Sequence, residues 1–169
     1  GLFDEKLTGG HSGNRWSKIT LHEPMPNPIM EDPIRRVLGL TEKEFRGVLA
    51  GKVTLYDDTG PKAIHRALEK INLPKAIEQA REDIKSGRKT VRDAAVRKLG
   101  FLKGAEASGL HPKDWMLNKV PVLPPLFRPV STMGAKKLPL VADANYLYKE
   151  LFDANQRSEE HTSELQSPC

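Results

Sequence analysis

The chain is short of cysteine, of long apolar runs and of clustered reactive side chains, and each shortage removes a class of protein. Its single thiol, Cys169, leaves no partner for a disulfide and no set of thiolates for a zinc site, so the expected compartment is a reducing cytoplasm. No apolar run approaches the about 20 residues that span a bilayer, and no basic-then-apolar start resembles a secretory signal. Residues 8–14, T-G-G-H-S-G-N, have neither the spacing nor the lysine of a phosphate-binding loop and read as a flexible loop. His11 and His22 lack ligand partners and read as surface residues. Asp57-Asp58-Thr59-Gly60 has turn composition, whereas a magnesium site needs carboxylates converging with phosphates or further acids. No His/Asp/Glu cluster or Ser-His arrangement supplies the reactive groups of a hydrolase.

What is present suffices for one moderate core: 169 residues, 38% hydrophobic and 29% charged. Thirteen prolines and thirteen glycines call for many short elements joined by turns. The net charge is +5. Residues 157–167, R-S-E-E-H-T-S-E-L-Q-S, resemble the translation of a common sequencing-adapter oligonucleotide. That reading makes 157–169 an artefact and the chain a metagenomic fragment, open at its C-terminus and starting without a methionine. Setting aside Arg157, Glu159, Glu160 and Glu164 leaves 26 basic and 19 acidic residues, a charge of +7 that favours polyanions as partners.

The most constrained stretch is 119–130, K-V-P-V-L-P-P-L-F-R-P-V. Pro121, Pro124, Pro125 and Pro129 each remove a donor, fix φ and push the preceding residue into the extended region, so no regular helix runs through it. A stiff polyproline-like or edge-strand connector is expected. Val120, Val122, Leu123, Leu126 and Phe127 are too apolar for a solvated linker and imply a rod pressed against a neighbouring surface. Arg128 is expected either to contact phosphate or to fix the rod by a salt bridge.

Elsewhere the pattern is mainly helical. Ser17 to Glu23 alternate as a half-buried strand ended by Pro24, Pro26 and Pro28. Asp32 before Pro33 is an expected N-cap, with Ile34, Val37 and Leu38 facing inward and Gly39 as the stop. Thr41-Glu42-Lys43-Glu44 is a capping box for a second helix carrying Phe45, Val48 and Leu49, which Gly51 ends. Residues 52–56 allow a brief strand. From 61 to 108 the i, i+3, i+4 spacing predicts a helix through Ile71, then a helical hairpin broken at Ser86-Gly87. Its second arm lines up Val91, Ala94, Ala95, Leu99, Leu102 and Ala105, with Arg88, Lys89, Arg92, Arg97, Lys98 and Lys103 on the other face.

V-P-V-L-P-P-x-x-R-P resembles V-L-P-V-L-P-P-D-L-R-P of the largest (β′) subunit of multisubunit RNA polymerases. Trp115-Met116-Leu117 resembles that family's W-M-I-L ahead of the motif, and Asp143-Ala144-Asn145-Tyr146-Leu147-Tyr148 its D-L-N-D-L-Y after it. Gly1-Leu2-Phe3-Asp4 resembles the start of the polymerase clamp, and residues 16–24 its G-H-I-E-L-x-x-P strand. The segment from Leu102 through Pro112 to Trp115 and Met116 resembles the end of the clamp's helical insert. Many members carry a cysteine-rich zinc ribbon after the start, and its absence here implies a divergent branch, viral branches included.

The resemblance implies an α+β, mainly helical clamp fragment: a clamp N-terminal part over 1–60, a helical insert over 61–114, and a proline-rich connector, lid loop and start of the clamp helices over 115–156. Ser131 to Leu140 would be the lid, which helps separate transcript from template, with the family's G-G-R replaced by G-A-K-K. It implies Arg128, Met133, Gly134, Lys136 and Lys137 as nucleic-acid contacts, and no catalytic or metal residue within the chain. Implied partners are the DNA template, the RNA transcript, other polymerase subunits and an initiation factor at the clamp helices, with no membrane. The complete subunit would be a nucleotidyltransferase using Mg, held in an N-A-D-F-D-G-D loop that does not occur here, so the fragment alone is expected to be inactive. The competing reading is a stand-alone basic helical module binding nucleic acid or protein without enzymatic chemistry.

Overall fold

A computed structural model describes residues 1–133, 135 and 138–166, with Met133, Leu138 and residues 161–166 described by backbone alone. The fold is α+β and mainly helical. The chain forms two compact units, one of residues 23–117 and one of residues 1–22 with 118–169. The boundaries fall within β1 (Ser17–Pro26) and β2 (Met116–Val122).

The 23–117 unit is built on apolar burial. It holds α2 (Glu31–Leu38), α3 (Glu42–Leu49), α4 (Gly60–Glu69), α5 (Leu73–Ser86) and α6 (Lys89–Ala107). Their inward faces meet in one core of Ile34, Val37, Phe45, Val48, Ala63, Ile64, Leu68, Ile77, Leu102, Ala105, Trp115 and Met116. The capping box is formed as expected: Glu44 N donates to Thr41 Oγ1 at 3.2 Å and Thr41 N to Glu44 Oε2 at 2.8 Å. Gly39, at φ +70°, supplies the left-handed stop after α2. α5 and α6 pack as the expected hairpin, and at Gly87 a Cβ would lie 2.5 Å from Asp83 O and 2.9 Å from the Val91 side chain.

Four local expectations change. β1 continues through Pro24 and Pro26 instead of ending there, because proline is tolerated where its missing donor is not needed by the partner strand. Asp32 is not the N-cap of α2: a 3-10 turn, Pro28–Met30, capped by Asn27, leads directly into Glu31 and leaves Asp32 in the first turn. No strand forms over 52–56. Instead Leu55 and Asp58 exchange backbone bonds of 2.8 and 3.2 Å around Tyr56 and Asp57, both at positive φ. Along α6, Val91 and Ala94 stay exposed, and burial begins at Ala95.

The other unit carries α1 (Glu5–Thr8), part of β1, most of β2, a 3-10 turn at Pro125–Phe127, strands β3 (Val130–Met133) and β4 (Leu138–Val141), and α7 (Asp143–Gln166). Val122, Pro124, Pro125 and Arg128 are buried while Leu126 and Phe127 face outward, so only one side of the proline rod is covered. α7 runs on through the adapter-like residues, whose Arg, Glu, Leu and Gln are good helix formers.

Candidate nucleic-acid interface

The proline rod ends at a hairpin whose root is fixed from within. β3 and β4 pair antiparallel in the register Val130↔Val141, Ser131↔Leu140, Thr132↔Pro139 and Met133↔Leu138. Sequence reasoning treats 131–140 as a loop, and the β-branched alternation of Val130-Ser131-Thr132 was the available signal for the strand. Ala142 N donates to Pro129 O at 3.4 Å just below the last strand pair.

Arg128 sits beside that root and is fully buried. Its Nε donates to Leu123 O at 2.7 Å, Nη1 to Asn145 Oδ1 at 2.9 Å, and Nη2 to Leu2 O. Asn145 Nδ2 returns a bond to Arg128 O at 2.8 Å. The guanidinium lies 4.8 Å from the centre of the Phe3 ring and 5.9 Å from that of Tyr148, whose hydroxyl accepts from Leu123 N at 3.2 Å. Burial lowers the Arg128 pKa from its ordinary value, and Tyr148 acts in the opposite direction. Arg128 here fastens the rod through carbonyl and amide oxygens, where a salt bridge was expected for that role. No carboxylate pairs with it among the described residues.

The other expected contacts, Gly134, Lys136 and Lys137, lie outside the described residues, and Met133 is placed by backbone alone. Ala135, between them, is exposed. Sequence reasoning assigns no role to Phe3, Asn145 or Tyr148, although the D-A-N-Y-L-Y stretch holds two of them. Asn155 was missed too: its Oδ1 accepts from His22 N at 2.6 Å and its Nδ2 donates to Thr20 O at 3.0 Å, extending β1 with a side-chain amide.

The N-terminal glycines form the third side. Thr8 is buried, its hydroxyl donating to Asp4 O at 2.7 Å, and a Cβ at Gly13 would lie 1.8 Å from Thr8 O. Gly13 O accepts from Leu126 N at 3.0 Å, so a stretch expected to be a flexible loop is packed onto the rod. His11 stacks on Phe3 at 4.8 Å. Among the basic residues of the helical hairpin, Lys103 pairs with Glu106 at 2.9 Å, while Arg88, Lys89, Arg92 and Arg97 are exposed and carry no ion pair among the described residues. Asp58 turns to Arg66 and to Thr59 N.

This is a structural segment that presents a hairpin, and among the described residues no three His, Cys, Asp or Glu side chains are grouped to hold a metal ion. No protein-family model matches the chain. It is 33% identical over 129 residues to the DNA-directed RNA polymerase subunit beta′ of Streptococcus thermophilus, covering 75% of this chain and 11% of that subunit. It is 31% identical over 130 residues to the subunit of Streptococcus uberis, covering 76% and 11%, and 29% identical over 126 residues to that of Bacillus subtilis, covering 74% and 10%. Over that stretch the chain matches a fragment of the β′ subunit of DNA-directed RNA polymerases. It spans about a tenth of the length of the curated relatives it matches.

Proposed function

We propose that this chain is the clamp and lid portion of a β′-type subunit, working inside an assembled RNA polymerase. The hairpin of β3 and β4 would be the lid, its tip at 134–137 meeting the upstream edge of the RNA–DNA hybrid and helping to part transcript from template. The observation that carries this reading is the root: a rod of prolines, a buried arginine and paired strands brace a short hairpin, and the sequence between its two strands is G-A-K-K. Two lysines there suit backbone phosphates, which hold without reading base sequence. Leu126, Phe127, Tyr146 and Leu147 remain exposed, as suits a piece whose surface other polymerase subunits or the rest of its own subunit complete.

Within this proposal the template DNA and the transcript are partners, and an initiation factor would dock at α7. Nucleotidyl transfer belongs to the complete subunit. The residues present do not fit the magnesium site of that chemistry, since the triple-aspartate loop is not in this sequence, and the fragment alone is expected to be inactive. The single cysteine likewise does not fit a zinc ribbon.

The test is a photo-crosslinker at the exposed Ala135 in an assembled polymerase carrying this segment. Crosslinks to the transcript or template at the upstream end of the hybrid are the expected result, and crosslinks to protein alone would overturn the reading. A second, non-enzymatic role in binding DNA is favoured by Arg88, Lys89 and Arg92. Replacing all three with alanine should flatten the salt dependence of DNA binding by about one unit of slope for each phosphate no longer neutralised.

A further inference from the structure

Arg128 is the charged side chain most thoroughly withdrawn from solvent among the described residues, and strand separation gives it no direct task. A cation is expensive to bury without a counter-ion, so its retention asks what the arginine does there that an apolar residue would not. Its donors answer this: Nε, Nη1 and Nη2 reach three separate chain segments, at Leu123, Asn145 and Leu2, and its faces meet the Phe3 and Tyr148 rings. Arg128 and Asn145 are seventeen residues apart and bracket the whole hairpin, and they bond reciprocally, side chain to side chain and side chain to backbone.

We infer that Arg128 and Asn145 are a positioning pair, a clasp that closes the two ends of the β3–β4 hairpin and fixes the direction in which its tip projects. No free donor edge faces solvent, so the pair touches no nucleic acid and acts only through the hairpin. The planar fork is essential, because one ammonium cannot span the positions that three guanidinium nitrogens reach. The inference concerns the hairpin root, and only its consequence for transcription rests on the lid reading.

The test uses an assembled polymerase whose β′-type subunit carries this segment, with Arg128→Lys, Arg128→Ala and Asn145→Leu, each followed by hydrogen exchange. All three should raise exchange of peptides over 129–142 by roughly tenfold or more, while peptides around Phe45 in the other unit keep their protection. The salt slope of DNA binding should not move. Should Arg128→Ala fail to assemble, Arg128→Lys keeps the charge and Asn145→Leu removes none, so both still report. Unchanged exchange over 129–142 in Arg128→Lys and Asn145→Leu would overturn the clasp, as would a salt slope that falls by about one in Arg128→Ala and is restored in Arg128→Lys. Hybrid length measured in parallel, with deletion of 134–137 as reference, separates the two ideas. If the deletion leaves hybrid length unaltered the lid reading fails, while exchange at the root still decides the clasp.

Discussion

The two units rely on different physics for their stability. Residues 23–117 bury a set of twelve apolar side chains contributed by helices, a 3-10 turn and the start of β2. The unit of residues 1–22 and 118–166 buries only Ile19 and Val122 among its described large apolar side chains, and fills the remaining interior with prolines and with Thr8, Arg128 and Asn145, the buried polar residues of the described chain. Apolar cores tolerate local repacking because the hydrophobic effect is non-directional, whereas a polar interior works only when each donor meets its acceptor. One unit is therefore a packing module, and the other a directional bracket.

That contrast can be broken at several points. The largest effect is expected in the core: Phe45→Ala should cost about 3–5 kcal/mol through cavity formation, seen as lost protection across residues 23–117. A loss confined to α3 would mean that the unit is less cooperative than its single core implies. Next comes Gly13→Ala, which adds one methyl group where Thr8 O leaves no space, and should cost about 1–3 kcal/mol by overpacking while exposing the Leu126 amide to exchange. If Gly13→Ala is neutral, the glycine loop is not the third side of the bracket.

The smallest effect is electrostatic. The backbone and side-chain hydrogen bonds from Thr41 lower the pKa of Glu44, while the slight desolvation it experiences acts the other way. A carboxylate with a depressed folded pKa contributes stability above its unfolded pKa and loses that contribution as pH falls through the folded value. The capping box should thus weaken only in acid, and Glu44→Gln should flatten the acid limb of a helix-stability profile. An identical limb in both proteins would show that the box is energetically silent.

What the sequence reveals follows the same division. Helices of the 23–117 unit were legible because their code is local: caps at Thr41, a stop at Gly39 and apolar spacing that survives without knowledge of partners. The bracket was legible only as a stiff proline rod. Its burial of Arg128 depends on Leu2 and Asn145, 126 and 17 residues away, and no pattern within a short window reports that. The N-terminal glycines misled for a related reason. Glycine marks both mobile chain and close approach, and at Gly13 the closeness of Thr8 decides for the second. The prolines of β1 misled because an edge position removes the penalty that would otherwise end the strand.

The central claim is that a braced hairpin puts positive charge against the hybrid. The most direct measurement is RNA–DNA hybrid length and transcript displacement in an assembled polymerase bearing Lys136→Ala with Lys137→Ala. The account predicts a longer hybrid or slower displacement without loss of assembly. Hybrid length and release identical to those of the unaltered enzyme would contradict it.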